Sequence, residues 1–324
     1  MGLAGRSVEM AVLYGAVMFG GSVLVWLMNL LANVSRGAGN MMVPAFAIAI
    51  GEAFHLALSP ALILGWGPLP ALGIVGAALA AVVAYGVGTI VLVVHLMSRQ
   101  ALVRLRLGTI RLKREEAAAI LGVGVVSAAS ATLFQVSTFF VAGVIAALGS
   151  SAVAAYGAAV RLELLQYPIT FAFGSAVITM AATAAGARDF ARAERAAWTG
   201  AAVAAAIGLV FTIVALFGRQ WMGLFTSDPV IRDMGALYLL SQAAVFPLTG
   251  ARLACYFACL GIGFVGWPFA LAALRLVLIV GGAWLALMLT GGAGAPFAMV
   301  AMGIASFAVG LLIAMRARFR RLAG

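Results

Sequence analysis

Long apolar blocks separated by short polar breaks run through the whole chain, near residues 11–32, 41–64, 72–97, 117–148, 152–185, 197–217, 234–260, 267–290 and 295–315. Each block reaches the roughly 20 residues that carry a helix across a hydrocarbon core. None shows the strict alternation of a barrel strand, and in lipid only helices and closed barrels satisfy their own backbone. The pattern therefore predicts nine transmembrane helices.

Composition agrees with the pattern. Of 324 residues 65% are hydrophobic and 9% charged, and the mean hydropathy is +1.16, whereas soluble domains carry about 25% charged residues. The fold class expected is an all-α polytopic membrane protein. The first block is as long as a spanning helix and is followed by more of the same, so no cleavable leader is expected. Cys255 and Cys259 lie inside an apolar block, where small buried hydrophobes are expected and a disulfide framework is not.

Basic residues gather in alternate breaks: Arg36; Arg99, Arg104, Arg106, Arg111, Lys113 and Arg114; Arg188, Arg192 and Arg195; and Arg316, Arg318, Arg320 and Arg321. The opposite breaks hold only Arg6, Arg219 and Arg232. The positive-inside rule then puts the C-terminus in the cytoplasm, the N-terminus outside and the protein in the cell (inner) membrane. The net charge of +11 is mostly this orientation signal, and no nucleic-acid partner is expected.

One stretch is said twice. NVSRGAGNMMVPAF at 33–46 returns as FACLGIGFVGWPFA at 257–270, with Gly37, Gly39 and Pro44 mapping at an offset of 224 onto Gly261, Gly263 and Pro268. Both copies lie in a turn after one predicted span and before the next. Six spans fill that offset, which suggests two copies of a six-helix lobe. On this reading residues 1–97 are a partial first lobe of three helices, with three more absent ahead of residue 11. Residues 98–116 are a basic cytoplasmic linker, 117–315 a complete second lobe of six helices, and 316–324 a basic tail.

Several motifs carry a family resemblance. Arg36-Gly-Ala-Gly-Asn with Pro44, followed by SPALILGWGPLPALGIVGAALA at 59–80, resembles the fourth to sixth helices of multidrug and toxic compound extrusion (MATE) transporters. LGSSAVAAYGAAVRLELLQYPITFAFGSA at 148–176, GARDFARAERAA at 186–197 and LFTSDPVIRDMGALYL at 224–239 are similar to that family's stretches around helices seven to ten. The resemblance implies a pseudo-symmetric two-lobe antiporter that exports amphipathic, often cationic compounds in exchange for H⁺ or Na⁺, with no other cofactor. It also locates departures. Where many sodium-coupled relatives carry a carboxylate pair, this chain has Gln135 and Thr249, and 234–260 holds no acid. The helix-one Asp of proton-coupled relatives has no counterpart here, and the family's Gly-Gln-Asn reads Ala182-Thr183-Ala184.

Ionisable groups within spans are costly, roughly 3 kcal/mol at mid-bilayer on insertion scales, so each invites a functional reading. Glu52 and His55 are three apart and share a helix face, which suits either a proton-sensitive pair or a polar patch against a neighbouring helix. Arg161 and Glu163 stand inside the next-lobe helix that opens at 152, two apart and on different faces, with Pro168 expected to kink the helix. Glu163 either meets a cationic substrate or pairs with a basic neighbour such as Arg252 or Arg275. Phe134, Phe139, Phe140 and Tyr256 either stack on flat cations or pack against lipid and core. With His55 and His95 as the only histidines, no metal cluster and no phosphate loop, an enzyme is not expected. Two alternatives remain: a flippase of related architecture for lipid-linked sugars, whose phosphates Arg161, Arg252 and Arg275 would bind, and a non-transporting remnant.

Overall fold

The computed structural model describes residues 6–66, 70–105, 113–290 and 292–323. Arg106 and Arg111 of the expected linker, and residues 67–69 of the quoted 59–80 stretch, lie outside them. The described residues form thirteen α-helices and one π-helical turn, with no strand among them. Seven helical stretches are long and apolar enough to cross a membrane, and two bent helix pairs bring the number of spans to nine. The all-helical membrane fold and the span count are those the hydropathy pattern predicts.

The chain forms two compact units, Met1–Arg111 and Leu112–Gly324. In the first, α1 (Arg6–Gly20) and α2 (Ser22–Gly37) make one span bent by 45°. A Cβ at Gly21, in the bend, would strike the side chain of Val82 on α4 (Ile74–Met97), so only glycine lets the bend close on its neighbour. Helix α3 (Met42–Leu64) packs on α4, and Met28, Leu31, Ala47, Leu92 and Leu96 fill the space between the helices.

The second unit holds α5 (Arg114–Ala147), α6 (Ser150–Gly186), α7 (Phe190–Leu216), the short α8 (Gly218–Gly223), α9 (Pro229–Ala243), α10 (Val245–Gly261), α11 (Gly266–Val277), the π turn Leu278–Gly282, α12 (Ala283–Thr290) and α13 (Gly294–Ala323). Asp189 and Asp228 cap α7 and α9 by accepting the amides of Arg192 and Val230, and Pro229 opens α9 where its missing N–H costs nothing. Helices α7 and α10 approach backbone to backbone: a Cβ at Gly250 would run into the Ala204 carbonyl, and one at Gly208 into Phe246 and Pro247. Cys255 and Cys259 are fully buried in this alanine-rich seam, as small hydrophobes.

The turns of the repeated stretch are closed alike. The amides of Ala38, Gly39 and Asn40 bond to the carbonyls of Val34, Arg36 and Ser35, and those of Ile262, Gly263 and Phe264 bond to Ala258, Leu260 and Cys259. Every one of these pairs repeats at the offset of 224. Gly39 and Gly263 both adopt left-handed backbone, φ 87° and 71°, as a Schellman closure requires. Pro44 and Pro268 are both buried behind their turns.

Residues 316–323 of the expected basic tail continue α13, with Phe319 buried and the Arg318 guanidinium 5.3 Å from the Phe264 ring. Helix α6 runs unbroken through Pro168, and a sharp bend of 52° lies between α9 and α10. Pro247 explains it. The proline has no N–H for the Ala243 carbonyl four residues back, which Thr212 Oγ1 on α7 takes up at 2.6 Å. Gln166 Nε2 on α6 donates to the nearby Phe246 carbonyl at 2.8 Å. Thr212→Val keeps the shape and removes that donor, which costs about 1–3 kcal/mol for an unmet carbonyl. At the usual slope the melting temperature falls by about 2–10 °C; an unchanged melting curve would show that the carbonyl has another partner.

Candidate functional site

One face of α6 is built for a cavity. Tyr156, Val160, Glu163, Tyr167 and Phe171 recur at helical spacing, so they form a single stripe, and all five line a cavity of about 660 Å³. Phe134, Gln135 and Thr138 of α5 face it at the same kind of spacing, with Arg252 and Tyr256 of α10, Arg275 of α11, Tyr238 of α9, and Val300 and Ile304 of α13. Its walls are aromatic and aliphatic, and charged groups are few.

Glu163 is held by Tyr238, whose hydroxyl donates to Oε1 at 2.5 Å. Tyr238 is itself fully buried, edge-on to Tyr156 and Phe297 with ring centroids 5.2 Å away in each case. Neither Arg252 nor Arg275 closes to ion-pair distance on Glu163; ion pairs among the described residues include Lys113–Glu116 and Arg219–Asp233, away from it. The arginines meet aromatic rings instead. The Arg252 guanidinium carbon lies 5.3 Å from the centroids of both Phe134 and Phe307, and that of Arg275 lies 4.9 Å from Phe134. Phe134 and Phe307 are perpendicular to one another, 5.0 Å apart. Arg252 is only 6% exposed, and Arg252 Nε and Arg275 Nη1 are buried with no acceptor.

The other expected residues separate from this group. Arg161, two residues from Glu163, points away from the cavity and stacks at 4.9 Å on Phe225. Thr249 lines a small recess beside Glu163, Gln166 and Gln242. Phe139 and Phe140 are exposed at 68% and 50% and do not line the cavity. In the first unit, Glu52 Oε2 lies 3.5 Å from His55 Nδ1, with the side chains 59% and 36% exposed. Both border a cavity of about 250 Å³ together with Tyr14, Met28 and Tyr85.

Sequence reasoning missed Tyr238, Tyr156, Tyr167 and Gln166. Three of them carried a readable signal, since Tyr156, Gln166 and Tyr167 stand seven, three and four residues from Glu163 and so share its face. Tyr238 comes from a helix 75 positions along the chain, and no spacing rule reaches that far. A double-mutant cycle tests the contact. Tyr238→Phe and Glu163→Gln are expected to be non-additive in unfolding free energy by about 1–3 kcal/mol, the range of charge-assisted bonds; additive effects would mean that the hydroxyl and the carboxyl act independently.

Comparison with known proteins places this arrangement. The MatE family model matches residues 126–285, a span that holds most of the cavity wall. Probable multidrug resistance protein YoeA of Bacillus subtilis is 26% identical over 232 residues, covering 70% of this chain and 50% of its own. A FAD transporter of Shewanella oneidensis is 27% identical over 215 residues, covering 63% of this chain and 46% of its own. The chain thus spans about half the length of the curated relatives it matches. The solved outward-facing conformation of a multidrug resistance MATE family transporter is similar over the whole chain, with a TM-score of 0.92 and 26% identity, and 72% of that transporter is covered. Nine apolar spans, the motifs of the second unit and these likenesses agree: the chain belongs to the multidrug and toxic compound extrusion family of membrane transporters.

Proposed function

We propose that the protein exports amphipathic small molecules from the cell by secondary active exchange with H⁺ or Na⁺, and that the unit Leu112–Gly324 supplies the substrate cavity. The observation that carries this reading is the cavity itself. About 660 Å³ is the size of a site for a drug-sized ligand, and apolar aromatic walls with a few polar groups are what such a ligand meets in binding pockets. Rings at several angles, Phe134, Tyr156, Tyr167 and Tyr256 among them, suit varied flat compounds better than one shape-matched substrate.

The Glu52–His55 pair is the proposed proton carrier. Its groups border a cavity on one helix face and lie 3.5 Å apart, so a small rotation of either exposed side chain brings them into hydrogen-bond reach. The excess of arginine and lysine in alternate connections supports a C-terminus in the cytoplasm of a cell-membrane protein. A second reading has a specific observation behind it. Arg252 and Arg275 in the cavity are the groups a flippase needs for the phosphates of a lipid-linked cargo, although Arg161 lies outside.

The test is reconstitution in proteoliposomes with an imposed H⁺ or Na⁺ gradient and a soluble amphipathic dye. Gradient-dependent dye movement is expected, with Glu52→Gln abolishing the part driven by pH while dye binding persists. A Glu52→Gln protein that still pumps in response to pH would remove Glu52 from the coupling. Movement of a fluorescent lipid-linked phosphate, but of no soluble dye, would favour the flippase.

A further inference from the structure

We infer that the cavity of the unit Leu112–Gly324 takes a planar organic anion, its carboxylate or phosphate held by the Arg252 and Arg275 guanidiniums and its ring by the surrounding aromatic side chains. The inference rests on the export reading above and names the charge of the substrate.

Two arginines line the cavity against one carboxylate, Glu163, and no other acidic residue contributes to the wall. Hydrogen bonding separates them further. One Glu163 oxygen already accepts the Tyr238 hydroxyl, whereas neither guanidinium has a protein acceptor among the described residues, and one nitrogen of each is buried without a partner. What the cavity has to spare is therefore donor capacity. Each guanidinium offers five N–H groups in a planar fork that matches the two oxygens of a carboxylate or phosphate.

The aromatic contacts do not discharge this capacity. Phe134 lies within 4.9 Å of one guanidinium and 5.3 Å of the other, so its ring face steadies both cations but accepts no hydrogen bond of comparable strength. Two like charges sharing one ring also repel each other, and a site that has removed Arg252 from water leaves that repulsion poorly screened. An anion between them relieves the repulsion and fills the empty donors together. A cation has to approach the same two fixed charges, with an engaged carboxylate as its only counter-charge. Tyr156, Tyr167 and Tyr256 line the rest of the cavity, which selects a flat ring on the anion.

Fluorescein, a planar anion, and ethidium, a planar cation, are the probes, titrated by fluorescence anisotropy into the purified full chain in neutral phosphatidylcholine nanodiscs. Fluorescein is expected to bind the tighter. Arg275→Gln is expected to weaken it by roughly tenfold or more, the size of a lost charge-assisted contact, and to strengthen ethidium. Glu163→Gln leaves both arginines in place and moves the two probes the opposite way from loss of a cation, strengthening fluorescein and weakening ethidium. Tighter binding of ethidium than of fluorescein to the unaltered protein, or fluorescein binding indifferent to both substitutions, overturns the inference. So does displacement of fluorescein by phosphatidylglycerol introduced into the nanodiscs, which assigns the arginines to a lipid headgroup. Export is read separately in proteoliposomes. Ethidium pumped while fluorescein goes unbound sinks the anion and keeps the transporter; fluorescein bound through Arg275 but moved by no gradient sinks export and keeps the site.

Discussion

A polar backbone group inside hydrocarbon has no water to turn to, and the second unit turns sharply at a place where the helical ladder fails to satisfy it. Pro247 withdraws a donor from the Ala243 carbonyl. A threonine on α7 replaces it, and a glutamine on α6 holds the carbonyl of Phe246 next to it. With these repairs the chain bends by 52° between α9 and α10 with the Ala243 and Phe246 carbonyls both bonded. Tyr238 lies before the bend and Arg252 after it, and both reach the same cavity.

Close helix packing does the complementary work. Along α7 and α10 the buried residues are small, Ala197, Ala201, Ala204, Ala251, Ala254 and Ala258 among them, with Gly208 and Gly250 at the tightest approach. In a membrane, where no hydrophobic drive pulls helices together, such surfaces gain dispersion contact through close approach. The bulky side chains are then left for the other faces. On α6 they form the stripe from Tyr156 to Phe171, so a thin seam on one side and a roomy wall on the other come from one distribution of residue sizes.

Much of this was legible in the chain and some was not, for identifiable reasons. Span number followed from hydropathy, because burial in lipid demands about 20 apolar residues whatever the packing. Arg161 and Glu163 were separable by their spacing of two, and the structure sends them to different surroundings. The bend between α9 and α10 was not read from the chain. Both Pro168 and Pro247 lack a donor, and only the packing of α7 and α6 against the second shows which gap is used to turn the chain. For Glu163 the chain offered a cationic substrate or a basic neighbour such as Arg252 or Arg275 as partner. The actual one is a tyrosine from α9, and the arginines lie on phenylalanines instead, an outcome decided by tertiary contacts between helices far apart in sequence. The repeated turn shows the opposite case: Gly39 and Gly263 were readable because a left-handed closure has a local requirement that glycine alone meets without strain.

The central claim is that substrate occupies the cavity walled by α5, α6, α10 and α11. A photoreactive amphipathic dye, cross-linked to the protein in native-like membranes and mapped by peptide mass spectrometry, tests it most directly. The account predicts label on Phe134, Tyr167 and Tyr256 and its loss when unlabelled dye is in excess. Label that is not competed away, or that falls on the exposed Phe139 and Phe140 while sparing those three residues, would contradict it.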